Sequence, residues 1–239
     1  MSELNNPYFL AKFGKKEDIE KLNNGEIFFN NIQAYRDDGT AYRGDKMEGK
    51  IPLDPHKIEI YDKDGNDIFD KIPYPDTLIQ SFVGDEKLKM FCAAIIDSNV
   101  MYHLKDDEWL FKEEFKNAIK GFGEYVLLFW EPEIINNIQN AQKIHRPKII
   151  FEARKIIYRD LTDYEHTEAY RLTGSAWEIY FIKGLGYQMQ NEWRIIIDGE
   201  DGEIKENCGN GFLLSTSPFK FGKIMKTSEF LNATLTIKE

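Results

Sequence analysis

Short apolar runs separated by charged and glycine-containing breaks make up most of this chain. Phe9–Phe13 is an aromatic run closed by Gly14 and predicts a strand. Ile19 and Leu22 lie three apart within Lys16–Asn24 and predict a helix stopped by Asn23, Asn24 and Gly25. Glu26–Asn30 predicts a second strand, so the chain opens on strand, helix, strand. Leu88–Ile96 and Tyr125–Trp130 are largely apolar and read as buried strands. Trp109, Phe111, Phe115 and Ile119 recur at near-helical spacing and predict a helix over Glu108–Lys120, ended by Gly121–Gly123. A further helix runs from Pro132 to about Gln142. Ile149–Tyr158 predicts a strand, Ala176–Lys183 a helix, and Gly222–Lys238 a closing strand, helix and strand. Ala34–Pro55 lacks apolar periodicity and predicts a long loop, the kind that often carries function. Lys57–Tyr61 and Asn66–Phe69 flank Asp62–Gly65 as a hairpin. With no repeat or linker dividing it, the pattern predicts one α+β domain over residues 1–239. Its central sheet is mixed or largely antiparallel, with flanking helices.

One stretch departs from the simple pattern. Gln188–Ile197, QMQNEWRIII, is an apolar strand interrupted by a carboxylate and a guanidinium. Side chains alternate along a strand, so Gln190, Glu192 and Arg194 share one face and Trp193, Ile195 and Ile197 the other. A row of amide, carboxylate and guanidinium either meets solvent or lines a site. Glu192 is the candidate catalytic carboxylate, able to hydrogen-bond a ribose hydroxyl and stabilise an oxocarbenium-like centre. Arg194 on the same face supplies the competing reading, a structural salt bridge.

Composition narrows the partners. The chain has 239 residues, 42% of them hydrophobic, enough for a substantial core. Its formal charge of −10, from 41 acidic and 31 basic residues, argues against a general grip on nucleic acid or anionic membrane. No run approaches the ~18 apolar residues of a membrane helix, and no secretory leader pattern opens the chain. A soluble, cytoplasmic protein is expected. Cys92, inside MFCAAII, reads as a small buried hydrophobe, and with Cys208 it forms no metal-ligand spacing. The four histidines show none either, so no metal is expected. Neither a Gly-x-Ser-x-Gly nor a phosphate loop is present.

The predicted loop holds the other reactive groups. Tyr35-Arg36 and Tyr42-Arg43 are duplicated aromatic–guanidinium pairs with glycines beside them. Arginine forks bind phosphate or carboxylate, and tyrosine rings stack on bases. Such a loop suits a nucleotide, or else a solvated surface whose charges pair with each other. Glu48-Gly49-Lys50, following Asp37 and Asp38, has the outline of a metal-dependent nuclease motif, but its glycines and prolines argue against the strand that chemistry needs. Lys143–Arg159 is locally basic and reads either as a phosphate-binding surface or as a solvated face.

Taken in order, FLAKFGKKEDIEKLNNGEIFFNNIQAYRDD and RGDKMEG resemble the start of a bacterial family known as a domain of unknown function. MFCAAI, GFGEYVLLFW, Lys183 and NEWRIII match its later pieces. The family's Asn-Asp-Pro is Tyr-Arg-Asp-Asp here, and its Trp-x-His-Tyr is reduced to Met101-Tyr102-His103. The resemblance implies a remote relation to the ADP-ribosyltransferase fold and a setting near mobile elements and phage-defence genes. It implies NAD or a related nucleotide as ligand, Arg36 or Arg43 on phosphate, Tyr35 or Tyr42 on a ring, and Glu192 at the ribose flanked by Gln190 and Arg194. A protein or nucleic acid would be the acceptor. Ser215-Thr216-Ser217 follows the glutamate strand, whereas in ADP-ribosyltransferases such a motif precedes it, so it reads as a loop before Pro218. A non-catalytic nucleotide- or protein-binding module of a defence system is the alternative.

Overall fold

The structure, a computed structural model, describes residues 9–39, 44–57, 59, 61–68, 78–81, 84–85, 88–105, 108–144, 148–161, 177–199 and 204–236. Eight strands form the main sheet: β1 (Phe9–Gly14), β2 (Glu26–Asn31), β3 (Lys89–Ile96), β4 (Tyr125–Trp130), β5 (Ile149–Lys155), β6 (Glu192–Gly199), β7 (Gly211–Ser215) and β8 (Lys223–Lys226). All their pairings are antiparallel. Helices α1 (Lys16–Asn23), α2 (Ile32–Asp37), α3 (Glu113–Ala118), α4 (Glu131–Ile144) and α5 (Thr227–Leu231) accompany it. The chain is thus α+β, as its alternation of runs predicts.

The strand β3 organises the sheet. One edge pairs with β6 over Lys89–Ala94, and β6 pairs in turn with β5. Its other edge is shared. Asn30 and Asn31 of β2 face Met90 and Lys89, while Phe9–Ala11 of β1 face Ile96–Ala94. Between these contacts β1 and β2 diverge, and two backbone carbonyls of β3 are met by side chains instead of a strand. The Lys12 ammonium donates to the Cys92 carbonyl at 2.7 Å, and the Tyr35 hydroxyl donates to the Met90 carbonyl at 3.2 Å. Backbone acceptors inside a fold must be satisfied, so these two residues make the opening tolerable.

Alternation sends each strand's apolar residues to two sides. Trp193, Ile195 and Ile197 join Leu10, Phe29, Phe91 and Phe129 in one continuous core that α1 and α4 cover through Ile19, Leu22, Ile134 and Ile138. The opposite face carries two separate clusters. One gathers Ala11, Phe13, Ala94 and Val126 beneath Phe115 of α3 and Phe230 of α5. The other gathers Met90 and Ile196 beneath Ile32 of α2 and Ile179, Tyr180 and Phe181. The gap between these clusters is where the polar row of β6 lies.

Several elements differ from the sequence pattern for physical reasons. Glu108–Phe111 is a strand, paired with Met101–Lys105, and only Glu113–Ala118 is helical. Trp109 and Phe111 stand two apart, which is the strand period, and only Phe111, Phe115 and Ile119 keep helical spacing, so the strand pairing takes the first pair. Glu178–Phe181 is a single 3-10 turn leading into the strand Ile182–Gly184, which runs parallel to Ile157–Arg159. Gln188–Gln190 belongs to the 3-10 helix Leu185–Gln190, and β6 begins at Glu192. The long loop contains α2 and a short strand, Ile51–Leu53. Gly211–Ser215, GFLLS, is a strand that the sequence pattern above does not single out, its short apolar run pairing with β2. The hairpin turn forms at Asp62–Asn66, with one bridge between Tyr61 and Asp67. No described helix is long and apolar enough to cross a membrane.

Ile195 is fully buried in the continuous core beside Phe91 and Trp193. Ile195→Ala is expected to lower the unfolding free energy by about 2–5 kcal/mol, through lost burial and a cavity. Urea denaturation would show a lower midpoint at constant slope, and an unchanged midpoint would contradict this packing.

Candidate functional site

The site begins with a backbone reversal. Asn191 adopts a left-handed conformation, φ +45°, between the 3-10 helix and β6. Asparagine tolerates this better than most residues, and here its side-chain amide donates to the Ile95 carbonyl and Asp97 carboxylate, both at 2.9 Å. The reversal sends Gln190 back over the start of the strand. Gln190 and Glu192 therefore converge although only Glu192 lies on β6. Lys183, from the neighbouring short strand, joins them: its ammonium donates to Gln190 Oε1 and to Glu192 Oε2, each at 3.0 Å.

Arg194 is completely buried. Its guanidinium donates to both carboxylate oxygens of Glu48, at 2.5 and 2.7 Å, to Glu192 Oε1 at 2.5 Å and to the Tyr180 carbonyl at 2.6 Å. Glu48 is equally buried. Its backbone carbonyl accepts from Arg36 Nε at 2.8 Å, and Arg36 forks onto Asp85 at 2.9 and 2.7 Å. Glu48, Arg194, Glu192 and Lys183 thus form a chain of alternating charge that ends at the polar row, and the Arg36–Asp85 pair is tied to it through the Glu48 backbone carbonyl. Gly49, next to Glu48, has φ +63°, and a Cβ there would lie 2.5 Å from the Tyr180 ring. Only glycine brings the turn this close.

The fields of these groups fix their protonation. Burial alone would raise the Glu192 carboxyl, but Arg194 and Lys183 outweigh it and hold Glu192 well below the usual carboxylate range. Burial works against the charged form of Lys183 too, and Glu192 followed by Glu48 overcomes it, raising the ammonium above its ordinary value. Arg194 behaves likewise under Glu192 and Glu48. Cys92 sits across from Arg194 in the register and feels the Glu192 charge. Burial and then that charge push its thiol far up, so it stays a neutral thiol rather than a thiolate nucleophile.

The polar row opens into a cleft of about 600 Å³ that reaches through the parted edge of β3 to Ile19, Leu22 and Phe91. Tyr35, Gln190, Glu192 and Arg194 line it with Lys183, Cys92 and Lys12. Arg36 does not: its guanidinium is held by Asp85 and the Glu48 carbonyl behind the floor. Tyr42 and Arg43 lie outside the described residues. The carboxylate of Glu48, which its sequence neighbours suggested for a metal, is taken by Arg194. Among the described residues no group of three or more His, Cys, Asp or Glu is placed to hold a metal ion. In the locally basic segment, Arg154 pairs with Glu152 and Glu178, and Lys155 with Asp97. Thr216 bonds to the Gly25 carbonyl at the α1–β2 turn. Cys92 and Lys12 are site residues that sequence reading passed over, and the apolar neighbours of Cys92 mask the face it occupies.

Breaking one member of a buried ion chain strands the others. Glu48→Gln is expected to cost about 3–5 kcal/mol, while replacing both Glu48 and Arg194 by apolar residues recovers part of that loss. Urea titrations of the single and double variants test this, and a single-variant loss under about 0.5 kcal/mol would refute it. Because the folded Glu192 value is depressed, its stabilising contribution is complete above its unfolded value of about 4.3. That contribution is lost as pH falls through the depressed value, so Glu192→Gln should flatten the acid limb of a stability–pH curve.

Comparison with protein-family models, curated proteins and solved structures finds no match to this chain.

Proposed function

We propose that the cleft takes NAD or a related nucleotide in an ADP-ribosyltransferase-like site, with Glu192 acting at the ribose. The observation that supports this most directly is the state of Glu192 at the cleft floor. It is ionised, and among the described residues Lys183 donates to one of its oxygens and Arg194 to the other. A carboxylate has roughly four acceptor directions, so capacity remains for a donor entering the cleft, such as a ribose hydroxyl. A cleft of about 600 Å³ is within the usual range for small-molecule sites.

In this reading the bond between ribose C1′ and the nicotinamide nitrogen breaks, and its electron pair leaves with nicotinamide. Positive charge develops at C1′ and the ring oxygen, and the fixed carboxylate stabilises it at no reorganisation cost. Water or an acceptor nucleophile then bonds to C1′ and gives up its proton to solvent water. Lys183 and Arg194 hold the carboxylate in place.

Purified protein incubated with NAD should release nicotinamide, and Glu192→Gln should reduce the rate by roughly 10²–10³-fold. NAD affinity should change only a few-fold, with near-ultraviolet circular dichroism checking the fold. Equal nicotinamide release by Glu192→Gln would overturn the catalytic role. A second reading, binding without turnover, draws on the tight engagement of both Glu192 oxygens. Saturable NAD binding by the wild type with no nicotinamide release would assign it.

A further inference from the structure

Strands β2 and β7 contribute Glu26, Phe28, Asn30 and Leu213 to the wall of the cleft. Ile27 and Phe29 of β2 are completely buried on the other face, in the continuous core. Phe28 therefore points to the cleft side, where it lines the cavity and remains 42% exposed. Its position is defined by the adjacent strand. A Cβ on Gly211 would lie 2.4 Å from Phe28 Cζ, so the missing side chain lets the ring lie directly over the β7 backbone. A half-exposed aromatic ring seated on a strand at a cavity mouth is a ready platform for another planar ring.

The cleft groups follow an order. Extending the β2–β3 register from Asn30 opposite Met90 puts Phe28 level with Cys92, and Cys92 faces Arg194 on β6. Phe28 and the Glu192 row are thus about two strand spacings apart, roughly 10 Å, plus the width of the opening. A base and its own ribose do not cover that span, whereas two nucleosides joined by a pyrophosphate do. Lys12 lines the same cleft, its ammonium 2.7 Å from the Cys92 carbonyl and 4.7 Å from the Phe91 ring centroid. Lysine is a point charge suited to phosphate.

Building on the nucleotide reading above, we infer that Phe28 is the stacking platform for the distal base of a dinucleotide. Lys12 meets the pyrophosphate, and Glu192 receives the ribose at the other end. Phe28 is a positioning residue that selects dinucleotides over the mononucleotide half bound near Glu192.

Calorimetric titrations of wild type, Phe28→Ala and Phe28→Trp with NAD, ADP-ribose and nicotinamide mononucleotide test this. Phe28→Ala should weaken NAD and ADP-ribose by roughly 5-fold or more, leaving nicotinamide mononucleotide and the thermal midpoint unchanged. Phe28→Trp should keep wild-type affinity for all three. Lys12→Met should weaken NAD and reduce the salt dependence of its binding. If wild type binds NAD and Phe28→Ala binds it equally well, the platform is refuted while the nucleotide reading stands. Equal weakening of all three ligands by Phe28→Ala would also refute it. If wild type binds none of the three, both readings fall.

Discussion

A guanidinium with no exposure to water sits at the centre of this protein, and its partners come from three separate parts of the chain. Arg194 is held by the Glu48 carboxylate, the Glu192 carboxylate and the Tyr180 carbonyl. A buried charge is tolerable only when paired and fully hydrogen-bonded. The turn at Asp45–Gly49 and the segment at Tyr180 are therefore bound to β6 by more than apolar contact. Arg36 and Asp85 carry the same logic outward, so a region with few regular strands is fixed by a line of charges. Glu192 inherits its orientation and its ionised state from that line.

The second constraint is the divided edge of β3. A strand has only two edges, yet β3 meets three partners, because β1 and β2 each take one end of the same edge. The divergence parts the apolar material on that face into two clusters and leaves a cleft at the parted edge. Lys12 and Tyr35 satisfy the β3 carbonyls that face the opening. The opening and the polar row are thus two consequences of one topology: a site forms where the sheet has no neighbouring strand and the chain supplies charged groups to fill the space.

Much of the scaffold was legible in the sequence. Apolar runs at Phe9–Phe13, Leu88–Ile96 and Tyr125–Trp130 carry enough burial to be strands in any compact arrangement, and they are. Alternation alone put Glu192 and Arg194 on the face opposite Trp193, Ile195 and Ile197, which β6 bears out. Elements fixed by distant partners were less legible. Phe111 keeps helical spacing with Phe115 but strand spacing with Trp109, and the pairing with Met101–Lys105 decides its element. Gln190 reaches Glu192 through a left-handed Asn191 instead of through strand alternation, a local conformation that spacing does not encode.

Local chemistry in the sequence determined the α+β class, the sidedness of the Glu192 strand and the supply of tyrosine, arginine and carboxylate groups, because periodicity and residue type act over a few neighbours. Which of those groups meet was decided by the tertiary structure. Glu48 is 146 residues from Arg194 and binds it, while Arg36, adjacent to a cleft-lining tyrosine, turns away to Asp85. Pairing across such separations depends on strand order and on the cost of leaving a charge buried alone. Both are properties of the folded chain as a whole.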